Sequence, residues 1–136
     1  MTFRPESFAA VPVNRLFGFQ LQDRDDTSAT VRFSPHSDHA QEYGVVHGGI
    51  LAALADTSSV YTVHPGLSEP ERMTSVEFKV NFLAAALVGR GDITSRASII
   101  RRGKSIAVVR ADVFQGDTHV VTGLFTYIIM NVAAPG

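Results

Sequence analysis

The chain has 136 residues, with 12 Lys and Arg against 13 Asp and Glu, five His, and neither Cys nor Trp. One domain with a single core is expected at this length, and a net charge of -1 gives no electrostatic reason to expect a nucleic-acid partner, since such binders carry a basic surplus. The missing cysteines exclude disulfide frameworks, thiolate nucleophiles, cysteine zinc sites and iron–sulfur clusters.

The opening residues Met1-Thr2-Phe3-Arg4-Pro5-Glu6 lack the apolar core of a secretory signal, so a cytoplasmic location is expected. The longest apolar runs, Ile50 to Ala55 and Phe82 to Val88, fall far short of the roughly 20 residues of a membrane helix, and no membrane partner is expected. A segment around Glu6 to Leu16 is interrupted by Pro12. Apolar residues then alternate at Phe17, Phe19 and Leu21 and again at Ala29, Val31 and Phe33, which predicts two half-buried strands with a hairpin turn at Asp25-Asp26. Ser34 to Tyr43, with Pro35 and two His, reads as an irregular loop.

From Gly48 or Gly49 to about Val63 the chain is apolar or small on nearly every face, the pattern of a buried helix, and His64-Pro65-Gly66 ends it. Four strands are predicted after it. Val76, Phe78, Val80 and Phe82 alternate with Ser75, Glu77, Lys79 and Asn81; Ile93, Ala97 and Ile99 share one parity within Gly91 to Arg101; Ser105 to Phe114 and His119 to Met130 are joined by the short link Gln115-Gly116-Asp117, as in an antiparallel hairpin. The tail Val132 to Gly136 is the one segment expected to be disorder-prone. Two strands, a long apolar helix and four more strands predict an α+β domain over residues 1–136, its curved antiparallel sheet wrapped around the helix.

Asp56 breaks the pattern of that helix. It shares a stripe with Gly49, Ala52, Ala53, Ser59 and Val63, and none of its neighbours at three or four positions is basic. Burying an unpaired carboxylate costs several kcal/mol, so either a distant group pairs with Asp56, a functional cavity keeps it solvated, or the helix face opens to water. His47-Gly48-Gly49 lies where the helix begins, where free N–H groups attract negative charge. A backbone N–H aimed at a developing oxyanion contributes roughly 2.7–4 kcal/mol in enzymes where it has been removed. His47 serves as acid, base or hydrogen-bonding brace, and the Gln41 amide can donate to a carbonyl oxygen.

The run Gln41-Glu42-Tyr43-Gly44-Val45-Val46-His47-Gly48-Gly49, followed by Leu54-Ala55-Asp56-Thr57, resembles the hotdog-fold acyl-CoA thioesterases of the phenylacetate-pathway and 4-hydroxybenzoyl-CoA types, over roughly Phe17 to Met130. The resemblance implies a hotdog fold and hydrolysis of an acyl-CoA to free acid and CoA. It implies Asp56 as general base or nucleophile, the Gly48 N–H and Gln41 as polarisers of the thioester carbonyl, and His47 as an auxiliary polar group. Gly49 and Ser75 fall at positions beside the substrate, and Arg101, Arg102 and Lys104, with Arg72 or Arg90 behind them, are candidates for the coenzyme's phosphates. No metal or other cofactor is required. A homodimer, or a dimer of dimers, is implied, with the third strand pairing with its symmetry mate. Gln41 is like the 4-hydroxybenzoyl branch and Asp56 like the phenylacetate branch, while Leu83-Ala84-Ala85-Ala86-Leu87 stands where many relatives carry a proline.

Other signals are weaker. Gly103-Lys104-Ser105 echoes a P-loop, but its first glycine would fall on Ser98, and there is no G-x-S-x-G elbow. A metal site from His36, Asp38, His39 and His47 lacks any comparable frame, and the His-Phe-Pro-Gly run of hotdog dehydratases is absent. The rival reading is a hotdog domain that binds acyl-CoA or another apolar ligand without turning it over.

Overall fold

Pro12 divides the opening segment into two short helices, α1 (Pro5–Ala10) and α2 (Pro12–Phe17), in the computed structural model, which describes residues 5–131. The tail from Val132 and the first four residues lie outside the described residues. The buried Asn14 ties the helices together by donating to the Phe8 carbonyl at 3.0 Å. Gly18 ends α2 in the left-handed region (φ 73°), where glycine carries no steric penalty. Phe17 is therefore helical, and the strand expected to include it, β1 (Gln20–Arg24), starts only beyond this cap.

The remaining elements follow the sequence reading: β2 (Ser28–Phe33), α3 (Gly48–Val63), β3 (Glu71–Phe82), β4 (Ile93–Arg102), β5 (Ile106–Gln115) and β6 (Thr118–Asn131). Short 3-10 turns at Ser37–His39 and Glu42–Gly44 break the loop before α3, and a third at His64–Gly66 closes the helix. The strands form one antiparallel sheet in the order β1-β2-β4-β5-β6-β3, curved around α3 as the hotdog resemblance implies.

No residue from Leu51 to Val63 is fully exposed. Leu51, Leu54, Ala55, Ser58, Ser59, Thr62 and Val63 are buried, mainly against β2, β4 and β5. Small residues on the sheet, Ala97, Ala107 and Ala111, let the helix approach closely, and Val31, Phe33, Ile93, Val109 and Val113 fill the space around them. The buried Ser58 hydroxyl meets Ser95 on β4 at 2.7 Å, so the polar atoms under the helix are satisfied.

The helix barely covers the edge strand β3, meeting it at Phe82, whose ring lies beside Gly48. The strand's partner β6 is largely buried, yet Val76, Phe78 and Phe82 are 52–56% exposed. A bulge at Val76 shifts the β3–β6 register, with Ser75 opposite Tyr127 and Phe78 opposite Phe125. Plain alternation puts Ser75 and Phe78 on opposite faces; the extra residue puts both on the helix side.

Candidate active site

Asp56 sits halfway along α3, half-buried, on the side of the helix that turns toward β6. The Tyr127 hydroxyl donates to its Oδ1 at 2.7 Å and lies 3.3 Å from its backbone carbonyl. Burial pushes the Asp56 carboxyl above the usual carboxylate range, and the Tyr127 hydrogen bond opposes that rise. Burial and the neighbouring Asp56 charge push the phenol far above its ordinary value, so it stays a neutral donor. The second carboxylate oxygen has no partner among the described residues. No buried side-chain oxygen there is left unbonded, so this atom opens to solvent. The carboxylate thus has one oxygen fixed and the other presented to water.

Tyr127 was invisible as a site residue in the sequence. The one available signal was a hydroxyl at a core-facing position of an apolar strand, since a buried Tyr O–H needs a partner. Ser75, opposite Tyr127 in the sheet, is exposed on the same face, one strand further from the helix.

At the amino end of α3, His47 is the N-cap, and its Nδ1 accepts the Gly49 N–H at 2.9 Å. This is the brace role, and it occupies the Gly49 donor; Gly49 offers exposed backbone but no free N–H. The His47 carbonyl accepts from Ile50 and Leu51, which leaves the Gly48 N–H without a partner among the described residues. A Cβ at Gly49 would meet the His47 ring at 2.8 Å, so glycine here is what permits the cap.

Gly48 and Gln41 line one groove of about 410 Å³ with Leu51, Phe82 and the Leu83–Ala86 link. The link that replaces the relatives' proline walls this groove, anchored by the Leu83 N–H on the Val120 carbonyl at 2.7 Å. The Gln41 loop is held by His39, which is buried, accepts the His36 N–H at Nδ1 (3.1 Å) and receives the His47 N–H on its carbonyl (2.9 Å). His36 and His39 therefore act as loop braces, and among the described residues no three His, Cys, Asp or Glu are grouped to hold a metal.

Asp56 is not in that groove. It lies eight residues along the helix from Gly48, a rise of about 12 Å, whereas both would have to come within about 3 Å of one reacting carbonyl. Arg101, Arg102 and Lys104 are exposed at the β4–β5 turn, beside the start of β3, where Arg102 pairs with Glu71 at 3.6 Å. Arg72 there pairs with Glu69 at 3.1 Å, while Arg90 lies at the opposite end of the sheet near the Gln41 loop. The basic cluster thus shares the end of the sheet toward which Ser75 and Tyr127 lie.

The fold recurs in solved structures. A thioesterase from Haemophilus influenzae superposes with a TM-score of 0.87 at 21% identity, covering 96% of this chain and 93% of that one. A phenylacetic acid degradation-related protein from Ralstonia eutropha superposes with a TM-score of 0.81 at 24% identity, covering 88% and 92%. At the sequence level, a Halobacterium salinarum protein named "Putative esterase" is 31% identical over 101 residues, which span 71% of this chain and 65% of that relative. The model of the thioesterase superfamily matches residues 43–122, the segment that holds the His47 cap, Gly48, Asp56 and the β3 edge. The chain belongs to the thioesterase superfamily.

Proposed function

We propose that the protein is an acyl-CoA thioesterase whose active site is assembled from two copies of the chain, the Gly48 N–H and Gln41 amide coming from one and Asp56 from the other. The observation that carries this reading is a half-buried carboxylate with no cation bonded to it among the described residues, one oxygen held and one open, on the same helix as an amino-terminal N–H that is unbonded among those residues and about 12 Å away. Two copies related by a twofold axis, joined along the unpaired edge of β3, bring unlike ends of two helices toward one cleft. The exposed Phe78 and Phe82 on the uncovered face of β3 supply apolar surface for that junction and for an acyl chain.

In this site the Gly48 N–H and Gln41 amide hold the thioester carbonyl oxygen as charge builds on it. The open Asp56 oxygen takes a proton from water, the resulting hydroxide bonds to the carbonyl carbon, and the tetrahedral intermediate expels CoA thiolate, which takes up a proton. In the nucleophilic variant the same oxygen bonds to the carbonyl carbon directly, the C–S bond breaks and CoA thiolate leaves with a proton from solvent, and water then cleaves the mixed anhydride to the free acid and the Asp56 carboxylate. Arg101, Arg102 and Lys104 are assigned to the coenzyme's phosphates, and Ser75 to the approach beside Tyr127. The test is thiol release from benzoyl-, hexanoyl- and palmitoyl-CoA followed with a thiol-reactive dye. Release from at least one supports the reading, whereas saturable binding of all three without release would replace it with a carrier.

A further inference from the structure

We infer that Tyr127 is a positioning residue for the reaction: its hydroxyl clamps Asp56 Oδ1 and thereby aims the other carboxylate oxygen at the reacting water or carbonyl. The inference rests on the assignment of Asp56 as base or nucleophile and adds to it a residue outside the loop and helix motif.

Tyr127 is 1% exposed, among the largest fully buried side chains, and its strand is hydrogen-bonded on both sides, to Ser75 of β3 and Ala107 of β5. The phenol is therefore a fixed post. Asp56, by contrast, is a short side chain whose helical neighbours Ala52, Ala53 and Val60 offer no donor, while the Ser59 hydroxyl is spent on the Ala55 carbonyl at 2.8 Å. No other hydrogen bond reaches its carboxylate among the described residues. The 2.7 Å contact is a fully formed O–H···O hydrogen bond, at the upper end of the range for a donor to a charged oxygen.

Of the strands packed against α3, β1 brings one charged side chain to the helix, Arg24, whose guanidinium donates to the Tyr61 carbonyl at 3.4 Å, five residues beyond Asp56. The faces of β2, β4 and β5 under the helix carry Ala29, Val31, Phe33, Ile93, Ser95, Ala97, Ala107, Val109, Ala111 and Val113, none of them titratable, while β6 contributes Tyr127. On α3 itself, His47 and His64 stand at the two ends, and Tyr61, one turn beyond Asp56, is a phenol that burial keeps neutral. Tyr127 is thus the one side chain that both orients the carboxylate and favours its ionised form.

The experiment compares wild type with Tyr127→Phe, which keeps the ring and removes the clamp. The Asp56 carboxyl is titrated by carbon NMR, its resonance assigned by its loss in Asp56→Asn, and turnover is measured on the best of the three acyl-CoA probes. The expected result is an Asp56 midpoint moved to higher pH, the acid limb of the rate profile moved with it, and kcat lowered about tenfold or more with KM changed by less than about twofold. An Asp56 midpoint and rate profile identical to wild type, even with a lower melting temperature, would overturn the inference by showing a purely structural hydrogen bond. Turnover surviving in Asp56→Asn would instead remove the underlying assignment, so the two failures are told apart.

Discussion

At the scale of single residues, Asp56 gives a signed test. Its carboxyl is raised above 3.8 by burial, so between 3.8 and its folded value the folded chain holds more protons than the unfolded chain. Stability therefore falls as pH rises through that window, and the ionised group remains a penalty above it. Asp56→Asn removes the penalty. Its melting temperature at pH 7.5 is expected to equal or exceed wild type, with the advantage shrinking as pH drops toward 4, while thiol release is abolished; calorimetry over pH and the dye assay check both halves. The carboxylate's isolation among small helical neighbours was legible from the chain, whereas for His47 the chain left acid, base and brace all open. The carboxylate's partner was not legible, because Tyr127 lies 71 positions away and only the sheet register brings it back.

At the scale of elements, the loop from Ser34 to Gly48 is held by a neutral histidine. Burial, helped by nearby His36, holds the His39 imidazole below its ordinary 6.5, against the opposing pull of the Phe17 carbonyl and Asp38. Protonated Nδ1 cannot accept the His36 N–H. The stabilisation is complete above pH 6.5 and is lost as pH falls through the lower folded value. Amide exchange in residues 36–47, corrected for intrinsic rates, is expected to speed up between pH 7.5 and 5.5, and His39→Gln should show no such step; protection independent of pH in wild type would refute this. The irregular character of the loop was readable from Pro35 and its polar residues, but its two 3-10 turns were not. For β3 the alternation located the strand and misplaced Ser75, because a bulge adds one residue and inverts the parity upstream of it.

At the scale of the whole molecule, the 12-residue strand β3 has one edge unpaired among the described residues and exposes Val76, Phe78 and Phe82, the surface on which the proposed pairing of two copies rests. If the site is composite, Gln41→Ala and Asp56→Asn chains, each impaired alone, regain activity when co-refolded, since each mixed dimer contains one site built wholly from unaltered groups. Light scattering is expected to show the mass of two chains, and a mixture no more active than its components would place the site within one chain. The succession of strands and helix, the buried helix and the oddity of its acid were all legible in the residues, because these rest on local periodicity, glycine and proline chemistry, and the charge of near neighbours. It took the folded chain to show that α2 ends at Gly18, that Tyr127 grips Asp56, that His47 spends its ring nitrogen on the Gly49 N–H, and that Gly48 and Asp56 of one helix stand too far apart to share a carbonyl. Those outcomes depend on strand register, cap geometry and distance along a rigid helix, which are properties of the assembled chain and leave no periodic trace in its residues.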